Sequence, residues 1–408
     1  MIRKVEIKNF RILKDIKLEL KPFNILIGPN ATGKSTFLDS ISFVSDILNS
    51  GIERACKKRS SSFQDLLWDK SNPNIEISME LELPGKIREI YSQKSLPTYS
   101  HTRYDLMIGI NPESEELQIL RETLWLSSEK GAANKPGMNT GNEKNESKQK
   151  KIVHKLTASR NDYFYAETTK YNTFFKLDPF TSSLANLPED EERFPGAVWT
   201  KHTLKQAIQV LALNSLEMRK PSHPEKKQTF EMDGSNLPNM IKILKRDPSK
   251  RFQNWIGHLR IALPFLKTIL VKTRMEDRFL YTVIKDKNDR KIPSWVLSDG
   301  TLRILALTLL AYLPDNEGIY LIEEPENGVH PSAVEAIYDS LSSVYRGQVL
   351  VATHSPVVLG VAKPEEILCF SRMETGEAKI IPGDQHPALK EWKGSPSLKV
   401  LYASGFLD

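Results

Sequence analysis

Gly28-Pro29-Asn30-Ala31-Thr32-Gly33-Lys34-Ser35-Thr36 decides the reading of this 408-residue chain. The stretch matches the pattern G-x-x-x-x-G-K-[ST] at every fixed position. Before it, Phe23-Asn24-Ile25-Leu26-Ile27 reads as a strand buried on both faces. After it, apolar residues recur at Phe37, Ile41, Val44 and Leu48, the spacing of a helix with one buried stripe. The chemistry needs strand, loop and helix in that succession. Glycines let backbone N–H groups curl around a phosphate without Cβ clashes. The helix then points its positive end at the anion. Lys34 reaches the β- and γ-phosphates and the Ser35 hydroxyl ligates Mg²⁺, with Asn30, Gly33 and Thr36 completing the cradle.

Further along, Ile319-Tyr320-Leu321-Ile322-Glu323-Glu324-Pro325 places two carboxylates at the end of an apolar strand, a Walker B pattern. Glu323 is suited to the Mg²⁺ shell, and Glu324 to orienting or deprotonating the attacking water. Aspartate is usual at the first position. Glutamate sets the carboxylate about 1.5 Å farther out, one C–C bond. Shortly before this strand, Leu297-Ser298-Asp299-Gly300-Thr301 reads as a capped helix start, which is also an anion site. Shortly after it, Val351-Ala352-Thr353-His354-Ser355-Pro356 sets His354 at the tip of a second buried strand, where an imidazole can sense a γ-phosphate.

Composition narrows the classes. The chain is 39% hydrophobic and 26% charged, which excludes a wholly disordered or collagen-like polymer. Its longest apolar run, Ile304 to Leu313, is about half the ~20 residues that span a bilayer. MIRKVEIKNF reads as an alternating strand, so neither a signal peptide nor a membrane helix is expected, and the expected location is the cytoplasm. The isolated Cys56 and Cys369 suit a reducing compartment and exclude a cysteine-based zinc site. A net charge of +6 is too mild to mark a dedicated DNA-coating protein.

Periodicity organises the rest. Ile2, Val5 and Ile7, then Ile16, Leu18 and Leu20, read as two antiparallel strands with one wet face. Residues 75–83 form another strand and 104–126 two more. Residues 127–155 read as a flexible low-complexity insertion, because Ser127 to Lys151 has one Met and no other large apolar side chain. Residues 156–267 read as an inserted, largely helical lobe, with Pro221, Pro224, Pro238 and Pro248 interrupting its helices. Strands return near 268–285, and from Leu297 helices alternate with buried strands, implying a parallel sheet. The expected fold is therefore α/β: 1–126 and 268–408 form two halves of one head, with a mostly parallel sheet and an N-terminal antiparallel sub-sheet. Basic clusters at Lys57-Lys58-Arg59, Arg219-Lys220 with Lys226-Lys227, and Lys242 through Arg251 read as solvated faces. Tyr163, Phe164, Tyr165 and Trp255 could stack on bases, but core packing is the expected role.

The four motifs in this order resemble the ABC-type ATPases of the SMC/RecF/OLD group. VEIKNFRIL, Asp233-Gly-Ser-Asn-Leu-Pro, LSDGT, IEEPENGVHP and ATHSP resemble more narrowly the stand-alone bacterial AAA-type ATPases found in phage-defence systems. The resemblance covers residues 1–50 and 295–360 well and 85–230 poorly. It implies an ABC/RecF-like P-loop ATPase core using ATP and Mg²⁺, in which two subunits, or a higher oligomer, sandwich ATP. Ser298 and Gly300 of one copy would then meet the γ-phosphate held by Gly33, Lys34 and Ser35 of the other. Glu324 would be the catalytic base, His354 the switch histidine, and Asn327 to Pro331 the D-loop. The Q-loop is unplaced, with Gln64 a candidate, and Arg11 is a candidate for approaching the nucleotide. The long segment between P-loop and signature disfavours a transporter. After residue 360 only about fifty residues remain and no HNH or Toprim-like acidic cluster is evident, so a nuclease or toxin effector would act in trans. DNA is a candidate ligand. The alternatives are a RecF-like repair ATPase and a nucleotide-bound scaffold with little turnover.

Overall fold

The computed structural model describes residues 1–128, 149–156, 162–226, 229–314, 316–360 and 362–390. In chain order, β1 (Ile2–Phe10), β2 (Leu13–Glu19) and β3 (Phe23–Ile27) precede helices α1 (Lys34–Ser50) and α2 (Ile52–Lys57). Next come β4 (Asn74–Glu82), α3 (Gly85–Gln93), β5 (His101–Ile110), β6 (Leu117–Ser127), β7 (Gln149–Leu156), β8 (Asp162–Phe164), β9 (Thr173–Phe175) and α4 (Pro195–His202). Then follow β10 (Ile208–Leu211), α5 (Ser215–Arg219), α6 (Leu237–Arg246), α7 (Arg251–Ala262), β11 (Leu266–Thr273), β12 (Leu280–Asp286) and β13 (Lys291–Pro293). The chain continues through α8 (Asp299–Leu309), β14 (Ile319–Glu323), α9 (Pro331–Ser342), β15 (Gln348–Ala352), β16 (Ile367–Arg372) and β17 (Ala378–Pro382).

These elements form two compact units. The first comprises residues 1–20, 36–208 and 372–379. Its framework is an eight-stranded sheet in the order β2-β1-β4-β5-β6-β7-β8-β9, antiparallel throughout. The expected N-terminal sub-sheet is therefore much wider than the sequence indicated. Strict alternation explains its two faces: every second residue of β4 is buried, from Ile75 to Leu81. The buried face also holds a carboxylate. Glu122 accepts hydrogen bonds from Tyr104 Oη (2.9 Å), Ser182 Oγ (2.6 Å) and the backbone N–H groups of Ser183 (2.7 Å) and Leu184 (3.0 Å). Four donors offset the cost of burying it.

Among the described residues, the second unit comprises those within 21–35, 209–371 and 380–390. Its sheet runs β10-β14-β15-β3-β16-β17, with β14, β15, β3 and β16 parallel, as the alternation of helices and buried strands predicted. Every residue of β3 and β15 is buried. Trp255 of α7 and Leu302 and Leu305 of α8 share the core with Ile25 and Val351 of the sheet. Trp255 is fully buried, and its indole N–H donates to Thr308 Oγ1 at 2.9 Å. A separate antiparallel sheet, β11-β12-β13, completes the unit.

Three expectations need correction. Residues 149–155, assigned to the flexible insertion, belong to strand β7, where cross-strand partners on β6 and β8 outweigh a lysine-rich composition. Residues 129–148 of that insertion lie outside the described residues. The interval 156–267 is not one helical lobe: up to Ile208 it belongs to the first unit and from Gln209 to the second. Pro238 does not interrupt a helix. It occupies the first turn of α6, where its missing N–H is one that no helix would use.

Candidate functional site

The loop after β3 opens at Gly28, whose φ is +140°. A Cβ there would lie 2.1 Å from the carbonyl oxygen of Phe370 on β16, so only glycine allows this approach. Thr32 Oγ1 donates to Pro29 O at 2.9 Å and braces the loop. Lys34 is buried, and its ammonium donates to Gly28 O (2.7 Å) and Pro29 O (2.8 Å), lying along the inside of the turn. Asn30 and Ser35 are exposed, while Gly33 and Thr36 are half-buried.

The parallel pairing of β3, β15 and β14 carries the motif ends to one edge of the sheet. There Ser35 Oγ–H donates to Glu323 Oε2 at 3.0 Å. The two residues read as Mg²⁺ ligands from opposite parts of the sequence thus meet directly. Glu323 makes this contact with a side chain one methylene longer than the usual aspartate. Glu324 has φ +44°, a left-handed conformation rare for a side chain of this size, and its N–H donates to Ala352 O at 2.8 Å. The chain therefore turns sharply between the two carboxylates. Asn327 Nδ2 donates to the Glu324 carboxylate and orients it.

His354 is half-buried two residues beyond β15. The preceding Thr353 is fully buried, its N–H donating to Leu26 O (3.1 Å) and its Oγ1 to Glu326 Oε1 (2.5 Å). Strand β3 and the loop that follows β14 therefore anchor the turn that carries the histidine. Ser298 is the N-cap of α8 and accepts from Thr301 N at 3.3 Å. Arg219 pins this helix start by donating to Leu297 O (2.9 Å) and Asp299 Oδ1 (2.6 Å). A Cβ on Gly300 would lie 2.5 Å from Gly328 O, so the signature glycine backs directly onto the loop after Glu324. Ser298 and Asp299 remain exposed.

Two secondary candidates lie in the first unit. Arg11 pairs with Asp39 of α1 at 3.2 Å, and Gln64 sits in a short 3-10 turn. The basic cluster at 57–59 is matched by acids: Lys57 pairs with Glu53, Lys58 with Asp46, and Arg59 with both Asp39 and Asp46. Lys227 lies outside the described residues. The sequence reading missed the supporting roles of Asn327 and Arg219, and also Asn214. The last caps α5 just beyond β10, the strand beside β14, and lines with Glu323 a cleft of about 640 Å³. No periodicity signals a single polar residue after so short a strand.

The fold is that of the SMC/RecF/OLD-type ATPases. Residues 23–360 match the family described as "AAA domain, putative AbiEii toxin, Type IV TA system", and the chain belongs to that family. It is similar to the OLD nuclease of Thermus scotoductus, 46% identical over 44 residues, which are 11% of this chain and 8% of that protein. It is also similar to the DNA replication and repair protein RecF of Lactococcus lactis subsp. cremoris. That match is 30% identical over 121 residues, 28% of this chain and 34% of the relative. The chain thus spans at most about a third of the length of these curated relatives. Among solved structures, an Smc head bound to the C-winged helix domain of ScpA has a TM-score of 0.53 at 15% identity, covering 93% of this chain and 97% of that one. The Smc head with an extended coiled coil bound to the C-terminal domain of ScpA, derived from Pyrococcus furiosus, has a TM-score of 0.50 at 13% identity, covering 93% and 95%. These likenesses establish the fold. No helix among the described residues is long and apolar enough to cross a membrane.

Proposed function

We propose that the protein binds and slowly hydrolyses ATP with Mg²⁺, that two copies close around the nucleotide, and that closure gates a separate nuclease or toxin effector in bacterial anti-phage defence. The observation that carries the ATPase reading is the 3.0 Å contact between Ser35 and Glu323. A hydroxyl and a carboxylate at the end of a buried sheet are hard oxygen donors of the kind Mg²⁺ takes, alongside phosphate and water oxygens. The bound cation would supply charge neutralisation on the phosphate oxygens.

The chain's own groups supply the rest. Lys34, released from the loop carbonyls, would pair with the β- and γ-phosphates. Glu324, held by Asn327, would take the proton of the attacking water. His354 would contact the γ-phosphate from the neighbouring strand end. Dimer closure is supported by the exposed, capped start of α8: Ser298 and the N–H groups behind it form an anion-binding end with no phosphate of their own chain assigned to it. The effector and the defence role rest on family likeness alone.

Phosphate release by the wild type against Glu324→Gln tests turnover. A fall of about a hundredfold or more is expected. Equal silence of both proteins, with ATP bound by each, would favour a nucleotide-bound scaffold. ATP-dependent binding to duplex DNA, with no effector co-purifying, would favour a RecF-like repair role.

A further inference from the structure

The exposed face of the eight-stranded sheet changes character across its width. Toward β1 and β5 it is a lattice of matched charges. Glu6 lies 3.0 Å from Arg103, 3.2 Å from Lys4 and 3.3 Å from Lys17, and Arg103 also holds Asp105 at 2.8 Å. Toward β9 the lattice stops. Thr123, His154, Tyr163 and Phe174 stand directly opposite one another on β6, β7, β8 and β9. Tyr163 stacks on Tyr165, with centroids 6.2 Å apart and planes inclined by 13°, and lies 6.3 Å from Phe174. The Lys151 ammonium sits 4.7 Å over the Trp125 ring. Phe174 is 66% exposed, whereas Phe164, one residue from Tyr163 and on the opposite face, is fully buried.

Among the described residues Lys150, Lys151 and Lys170 form no ion pair, although the buried Glu167 carboxylate acts on Lys150 and Asp105 accepts from Thr123 Oγ1 at 3.3 Å. The acids of β6 and β8, Glu122 and Asp162, are buried. A cavity of about 540 Å³ beside Tyr165 is lined by Lys150, Lys151 and Lys170 and by no acid. Burial pulls the Lys150 and Lys151 ammonium groups below their ordinary pKa, a cost that an anion would relieve. His154 Nδ1 is buried without a hydrogen-bond partner. Stacked rings in reach of solvent and lysines without an ion pair among the described residues fit one occupant. Bases present π-faces to the rings and phosphates meet the lysines, whereas a duplex hides its base faces. A protein partner fits less well, because lysine is depleted where such interfaces are rich in aromatics.

We propose that the β6–β9 face, with Tyr163, Tyr165 and Phe174 as its stacking residues and Lys151 as its phosphate contact, binds single-stranded nucleic acid. The inference deepens the proposed action on nucleic acid by placing a ligand on this chain, and it does not depend on ATP turnover. The test is fluorescence anisotropy of a labelled oligothymidylate of about 20 nucleotides with the full-length protein at low salt. Tyr163→Ala combined with Tyr165→Ala is expected to weaken binding about tenfold or more, and Lys151→Glu to weaken it and flatten its salt dependence. Phe174→Ala, at an exposed ring, should weaken binding several-fold and carries the test if the tyrosine pair fails to fold. A hairpin duplex of similar length should bind more weakly. Lys34→Ala should bind the oligonucleotide like the wild type, which separates this inference from the ATPase reading. No binding by the wild type, or affinity unchanged in the Phe174 and Lys151 variants, would overturn it. So would a change in sedimentation of those variants with no change in oligonucleotide affinity, which would assign the face to a second copy.

Discussion

The two sheets of this protein solve different problems. In the parallel sheet, each site residue sits at the end of its own strand: Gly28 after β3, Glu323 closing β14 and His354 beyond β15. Parallel pairing alone then brings the strand ends to one edge. In the antiparallel sheet, position along a strand says little. What matters is which residue stands opposite which, and on which face, as with Glu122 inside and Tyr163 outside. The comparison teaches that function in the parallel unit is separable from stability, since its reactive groups project from a core they do not hold together. In the antiparallel unit the polar groups are themselves part of the core.

Substitutions can break that contrast. The largest effect belongs to Glu324→Gln, which should slow phosphate release by about a hundredfold or more while leaving thermal stability and ATP affinity near wild type. A large loss of stability would show that the turn at Glu324 is structural after all. Next is Glu122→Ala, which strands the Tyr104 and Ser182 hydroxyls and two buried N–H groups. It should cost about 3 kcal/mol in urea unfolding, with ATP affinity of the folded protein unchanged. Gly28→Ala crosses the divide. Its Cβ meets the Phe370 carbonyl at 2.1 Å, so about 2 kcal/mol of stability should go together with nucleotide binding.

The smallest expected effect is a pH dependence in the antiparallel unit. Burial raises Glu167 to about 7, against hydrogen bonds from Tyr91 and from the N–H groups of Gly196 (2.8 Å) and Ala197 (2.7 Å). The folded chain therefore holds this proton more tightly than the unfolded one, whose value is 4.5. Stability from this group is full below the unfolded value and is lost as pH rises through the folded one. Urea midpoints at about pH 5 and about pH 8 should differ by less in Glu167→Gln than in the wild type. An equal difference would remove Glu167 as its source.

Much of the parallel unit was legible because its signals are local. The loop at 28–36, the paired carboxylates at 323–324 and the buried run at 349–352 each declare their place without long-range information. The antiparallel unit was legible only where alternation is long, as in β1, β2 and β4. Strand β7 was missed because QKKIVHKL has few apolar residues, and Lys155 in it is nevertheless buried, 3.4 Å from Asp162. Strands β8 and β9 have only three residues each, too few for a period to show. Core packing suited Phe164 and Trp255 but not Tyr163 and Tyr165, because neighbouring residues of a strand face opposite ways and only the register decides which is wet. The supporting roles of Asn327 and Arg219 depend on turns whose geometry no spacing rule encodes.

The central claim is that ATP held by the loop at 28–36 is completed by Ser298 of a second copy. Sedimentation of Glu324→Gln with Mg²⁺ and ATP tests it most directly, with Ser298→Arg in the same background as the control. The account predicts a dimer that forms only with ATP and is lost in the Ser298→Arg protein while ATP still binds. A monomer saturated with ATP, or a dimer indifferent to Ser298→Arg, would contradict it.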